Sequence, residues 1–233
     1  MDVKLMAESV VPLLGGLLNS AQLVVIALSA GFCLAVGLAL MRQSRNALLN
    51  RPARLYIFIV RGTPLLVQMF LIYYGLGQFD WLRHSMLWTV LREPFWCAIL
   101  ALTINTTAYG AEIIRGGLQA VSWGETESAR SFGMSGPLLF RRIVFPIAIR
   151  QALPAYGNEV IQMVKATSLA STITVMEMTG VANAIISETY RPLEVFLVAG
   201  AFYLLLNFVL TRIVKLIEYR LSGHLRPPVE VQS

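Results

Sequence analysis

The sequence predicts an all-α integral membrane protein of about five transmembrane helices, with its N-terminus outside, its C-terminus in the cytoplasm and a cytoplasmic helical hairpin. Three observations predict it. The composition is 56% hydrophobic and 14% charged, with a mean hydropathy of +0.65, unlike a soluble globular domain. The apolar residues are gathered into runs long enough to cross a hydrocarbon core, which takes roughly 20 residues of helix. The basic residues fall mostly in alternate connections between those runs. Five crossings with their connections use the whole length of 233 residues, so the chain is read as one domain, 1–233.

The first run, Ser9–Met41, holds 33 residues without a charge. A straight crossing needs fewer, so its start is read as an interfacial helix and the first span is placed at 21–41. Arg42, Arg45, Arg51 and Arg54 follow, then the apolar Leu55–Val60 and a break at Arg61–Pro64. The second span, 64–79, starts at Pro64, a residue suited to a first helical turn. The third, 95–112, carries Thr103, Asn105, Thr106 and Thr107, which belong against other helices or water rather than lipid. The fourth, 152–176, contains Glu159 and Lys165 and is therefore interrupted or cavity-lining. The fifth, 195–211, continues into a basic amphipathic stretch, Arg212–Arg220, and beyond Gly223 the two prolines Pro227 and Pro228 predict irregular chain. The N-terminal run is read as retained rather than as a signal peptide. Lys4 is balanced by Asp2 and Glu8, and the run is too long.

Orientation follows from the lysines and arginines. Four lie in 42–54, five in 115–150 and four in 212–226, against four at Lys4, Arg83, Arg92 and Arg191. Thirteen against four places the 115–150 loop in the cytoplasm. The net charge of +6 does not signify nucleic acid, because the arginines are scattered beside apolar runs and not interleaved with aromatics. Cys33 and Cys97 each sit in an apolar stretch and form neither a metal-binding pair nor a disulfide framework. Lys4, Lys165 and Lys215 are the only lysines, and none follows a glycine, so no phosphate-binding Walker motif exists. The chain does not hydrolyse ATP itself.

The cytoplasmic loop carries its own helix signals. Ser122 followed by Glu125 is a capping box that opens a helix running to Phe132, and Gly133 ends it. Ser135, Gly136 and Pro137 open a second helix, with Leu138, Leu139 and Ile143 available to one face and Arg141 and Arg142 to another.

Glu127, Ser128 and Ala129, then three residues, Gly133, nine residues, and Ile143 through Pro146 reproduce the spacing of a known loop. It resembles the E-A-A…G…I-x-L-P loop of the membrane subunits of ATP-binding-cassette importers, departing at Ser128, where Ala is usual, and at Phe145, where Leu is usual. Three further stretches, Arg61–Leu76, Ala108–Val121 and Asn158–Ser171, are similar to segments of the polar amino acid permeases of the histidine, glutamine, arginine and opine type. The resemblance implies a multi-pass permease of the bacterial inner membrane that imports polar, basic amino acids or opines by alternating access. It implies that Glu127, Ser128, Ala129, Gly133, Arg141, Arg142, Ile143 and Pro146 form the docking surface for an ATPase. It also implies two ATP-binding subunits that hold ATP and Mg, a second permease subunit, and an extracytoplasmic substrate-binding protein. A paralogous second permease is favoured over an identical copy, and this chain itself carries no cofactor and no metal.

Within the fourth span, Glu159, Gln162 and Lys165 follow at steps of three, beside a stripe of Tyr156, Glu159, Met163 and Ala166. An ionised side chain in a span costs about 2.5–3.5 kcal/mol on insertion scales unless water or a partner receives it. Either Glu159 and Lys165 line a translocation path, or they pair with other helices to hold the fold. Asn158, Thr167 and Ser168 are candidates to hydrogen-bond a passing solute, set against bonds to their own backbone. Arg61 is read first as an interface anchor, and Glu112 as the i,i+3 partner of Arg115. A rival class, an ion-coupled secondary transporter or channel using Glu159 and Lys165, accounts for the buried charges but leaves the hairpin unexplained.

Overall fold

The computed structural model describes residues 1–221; the expectation for Pro227 and Pro228 lies outside them. Among the described residues three helices are long and apolar enough to cross a membrane, or up to five if each of two bent pairs is one span.

Helix α1 runs unbroken over Val3–Gln43, where the sequence reading divides it near Ala21. Asp2 caps it by accepting from the amides of Lys4 and Leu5 at 3.1 and 3.2 Å. One face is a seam of small residues that includes Gly16, Ser20, Ala27, Gly31, Ala35 and Ala39, all buried. Such a seam lets two backbones approach closely. Helix α6, Pro94–Gln119, packs along it. A Cβ on Gly31 would stand 2.2 Å from Thr106 Cγ2, and one on Gly110 would meet Ala35 at 3.0 Å.

Helix α2, Ala47–Gly62, fills a stretch from which no element was expected. Asn46 caps it, and Asn50 reaches back to the carbonyls of Arg42 and Ser44. Thr63, preceding a proline, is extended, and α2 turns through 105° into Leu65–Gln78. That second arm begins as α3, Leu65–Phe70, and continues through a π turn and a 3₁₀ turn to Gln78. Gln68 secures the corner. Its amide donates to the carbonyls of Val60 (2.7 Å) and Thr63 (3.1 Å) and to the Thr63 hydroxyl (2.9 Å). Two short helices, α4 (Asp80–Arg83) and α5 (Trp88–Leu91), lead to α6.

Helix α7, Trp123–Ser131, carries the expected capping box between Ser122 and Glu125. Gly133, at φ +80°, closes it with a paired turn in which its own amide reaches Arg130 and that of Met134 reaches Ala129. The next arm departs from expectation. α8, Gly136–Leu139, passes through a π turn at Phe140–Val144 directly into α9, Phe145–Ala166, so it is not a self-contained helix of a hairpin. The π turn lies immediately before Pro146, whose missing amide interrupts the ordinary helical ladder.

α9 packs on α6 where Gly117 meets the Ala148 carbonyl, and on the last helix where Gly157 meets Val214. After Ala166 the chain tightens into a 3₁₀ run, Thr167–Ile173, and then enters α10, Met178–Thr189. Helix α11, Pro192–Leu221, completes the described chain. The central core joins Leu23 and Ala27 of α1, Leu102 of α6, Met163 of α9 and Ile173.

One buried polar knot ties three helices and has no counterpart in the sequence reading. Glu177, fully buried, caps α10 by accepting from Gly180 at 2.8 Å. It also accepts from Ser20 of α1 (3.3 Å) and Tyr203 of α11 (3.1 Å). A carboxylate so placed costs free energy unless each lone pair is engaged, and these partners engage it.

Candidate functional site

Two places carry polar groups that the packing alone does not require. The first is a cavity of ≈ 570 Å³ at the corner between α2 and α3, opposite α6 and α9. Glu159, Asn158 and Gln162 reach it from α9, Asn105 and Tyr109 from α6, and Arg61 from the end of α2. Asn105 donates to Gln68 at 3.3 Å, so the residue that holds the corner also orients one cavity wall. Arg61 lies over the Tyr109 ring, 5.1 Å from its centre. That contact fixes the guanidinium plane while leaving its edge donors free to receive a ligand.

The arrangement holds a carboxylate and a guanidinium in one cavity with five neutral hydrogen-bonding side chains, Thr63, Asn105, Tyr109, Asn158 and Gln162. It can receive a zwitterion or a cationic solute. Asn158, Glu159 and Gln162 are brought together as the spacing suggests. Lys165, Thr167 and Ser168 are not. Lys165 is exposed and outside the cavity lining, while the hydroxyls of Thr167 and Ser168 donate to the carbonyls of Val164 and Lys165, each at 2.7 Å. Arg61, read first as an interface anchor, also lines the cavity.

The second place is the turn formed by α7 and α8. Ala129 and Leu139 are buried between the arms, and Ile143 and Pro146 are half-buried. Glu127, Ser128, Gly133, Arg141 and Arg142 are exposed. Exposed with them are Trp123 (74%) and Phe132 (83%), which the sequence reading did not single out. Large apolar side chains bare on a short turn, mixed with acid and base, are the makings of a protein contact. At the near end of α6, Glu112 pairs with Arg115 at 2.6 Å, as expected, and also with Arg42 of α1 at 3.5 Å.

Helices apolar enough to span a membrane around a polar cavity, with an exposed turn at one end, define a transport subunit. The chain belongs to the family of binding-protein-dependent transport system inner membrane components, whose pattern it matches over residues 25–223. It is the permease component of an ATP-binding-cassette importer. Its relatives include the octopine transport system permease protein OccM of Rhizobium meliloti, 58% identical over 92% of this chain and 87% of that one. The nopaline transport system permease protein NocM of Agrobacterium fabrum is 56% identical over 98% of this chain and 95% of its own. Among solved structures, an amino acid transporter of the same class crystallised with histidines superposes with a TM-score of 0.85. It is 36% identical and covers 94% of this chain and 99% of its own.

Proposed function

We propose that this chain imports basic amino acids or opines into a bacterial cytoplasm as one of two permease subunits, driven by two separate ATPases. The likeness to opine permeases over nearly the whole chain carries the substrate class. The cavity suits it: Glu159 offers a partner to a cationic group and Arg61 to a carboxylate, with Asn105, Asn158 and Gln162 between them. ATP and Mg belong to the ATPases, and an extracytoplasmic binding protein delivers the solute. The second permease is a paralogue in this reading, with an identical copy as the other arrangement.

Counting each bent pair as one crossing gives five spans, α1, α2–α3, α6, α8–α10 and α11, which puts the termini on opposite sides. With the N-terminus outside, both the arginine-rich connection after α1 and the α7–α8 turn face the cytoplasm, in agreement with the charge count. The turn then meets the ATPase through Glu127, Ser128, Ala129, Gly133, Arg141, Arg142, Ile143 and Pro146. Because its second arm continues as α9, a displacement of the turn is carried along one helical run to Glu159. The cavity opens to alternate sides as the ATPases close and separate.

The test is uptake in proteoliposomes containing this chain, its partner permease and the ATPase, with binding protein outside and ATP inside. Radiolabelled arginine, octopine and nopaline should accumulate only with ATP. Accumulation without ATP that collapses with a protonophore sinks the proposal and favours ion coupling.

A further inference from the structure

Beside the transport cavity, and sharing Arg61, Gly62 and Tyr109 with it, lies a second cleft of ≈ 490 Å³ whose remaining lining has no part in the import reading. It opens between the end of α1, the outer face of α2 and α6. Three arginines, Arg42, Arg54 and Arg61, line it against one carboxylate, Glu112. That carboxylate is already taken up by Arg42 and Arg115. Arg54 is exposed and makes no ion pair among the described residues. Arg61 lies on a ring face, a contact that engages its plane and leaves its edge donors. The cleft therefore holds surplus positive charge with donors to spare.

Its rim is apolar. Phe58 lines the cleft and is 75% exposed, and Leu55, one turn back along the same helix, is also bare. α2 buries Ala53, Ile57 and Val60 inward while presenting arginine and large apolar side chains outward, the pattern of a helix seated at a membrane boundary. Surplus cationic donors beside an exposed aromatic match a ligand with a negative head and a hydrocarbon tail. Inorganic phosphate engages the arginines but not Phe58, and a zwitterionic lipid leaves the surplus charge unanswered. Basic recesses between membrane helices are suited to anionic headgroups for these reasons.

We infer that the cleft between α1, α2 and α6 binds an anionic phospholipid, its phosphate held by Arg54, with Arg61 adding positive charge at the edge the two cavities share, and an acyl chain laid along Phe58 and Leu55. The inference needs only that the chain is embedded in a bilayer and holds whatever solute is transported.

The test uses the assembled transporter with the full chain, exchanged into mixed phosphatidylglycerol and phosphatidylcholine and examined by native mass spectrometry for retained lipid. Phosphatidylglycerol should be retained preferentially, and Arg54→Gln should lower that retention about fivefold, the share of one arginine at a headgroup. Phe58→Ser should lower it as well. Arg45→Gln, just before α2, and Arg51→Gln, within α2, remove the same charge outside the cleft lining, and should leave retention within about twofold. Equal losses in all four variants, or equal retention of the two lipids, overturn the assignment. So does displacement by inorganic phosphate together with indifference to Phe58→Ser, which identifies a free-anion site. If Arg54→Gln fails to assemble, Arg54→Lys keeps the charge and loses the forked donors; undiminished retention there removes Arg54 as a headgroup ligand.

Discussion

Asn105 of α6 donates its side-chain amide to the side-chain oxygen of Gln68 of α3 across 3.3 Å, while the Gln68 amide is spent on Val60 and Thr63 at the 105° corner. One side chain thus joins the bend of the broken span to a wall of the cavity. Gln68→Ala leaves these partners unsatisfied, at about 1–3 kcal/mol. The melting temperature of the purified transporter should fall, and uptake should fall with it. Gln68→Glu keeps the acceptor but not the donors and should recover only part of the loss.

Glu159→Gln removes the one carboxylate of the cavity while keeping its shape. A hydrogen bond to a charged group is worth about 1.5–3 kcal/mol, so uptake of arginine should fall by roughly tenfold or more. Uptake of an uncharged amino acid, if carried, should change far less. Equal losses for both assign Glu159 to the fold rather than to the solute.

Gly133 has φ +80° with nothing within 4 Å of an added Cβ, so the obstacle to a side chain is conformational and not steric. Gly133→Ala should destabilise the turn by about 1 kcal/mol. Gly133→Trp adds bulk on the face assigned to the ATPase. It should reduce copurification of the ATPase and uptake, while the permease remains in the membrane in normal amount.

A Cβ on Gly157 would lie 2.3 Å from Val214 Cγ1. Gly157→Ala forces α9 and α11 apart or distorts Val214, at about 1–3 kcal/mol. Val214→Ala in the same chain should restore most of the lost thermal stability. Gly180 offers the contrast. Its added Cβ meets the Val175 carbonyl at 2.3 Å, a backbone atom, so no side-chain truncation should rescue Gly180→Ala.

Glu177→Ala strips the acceptor from Ser20, Tyr203 and the amide of Gly180. Ser20 keeps the Gly16 carbonyl and Tyr203 keeps Thr179, but the Gly180 amide loses its acceptor at about 1–3 kcal/mol and the site of the carboxylate is left empty, so this substitution should reduce the amount of folded protein in the membrane more than Glu159→Gln does. Fluorescence-detected size exclusion of the two variants at equal expression provides the comparison.

What was legible in the sequence was local. The capping box at Ser122 and Glu125 and the left-handed Gly133 depend on neighbours a few residues away, and both hold in the structure. Long-range partners were not legible. Gln68 meets Asn105 and Glu177 meets Ser20 and Tyr203 only because the helices are brought together by packing spread along the chain. The arginines of α2 made a helix look like a connection, although the Thr63–Pro64 break was visible. The passage of α8 through a π turn into α9 was not legible, because such a turn leaves no mark on composition. Steps of three drift about 60° each around a helix of 3.6 residues per turn. Lys165 has therefore rotated away from the face it was expected to share with Glu159, and the 3₁₀ run beyond Ala166 breaks the register for Thr167 and Ser168.

The meeting of Gly31 with Thr106 bears on how the protein is made. The first helix leaves the ribosome with its narrow seam bare, and the helix that fills it is synthesised much later, after the corner at Thr63 and the short helices that follow. Through that interval the glycines and alanines of α1 have no α6 to pack against. Completion of the core is then scheduled by position along the chain: the seam of α1 is filled only once the chain has been made as far as Thr106.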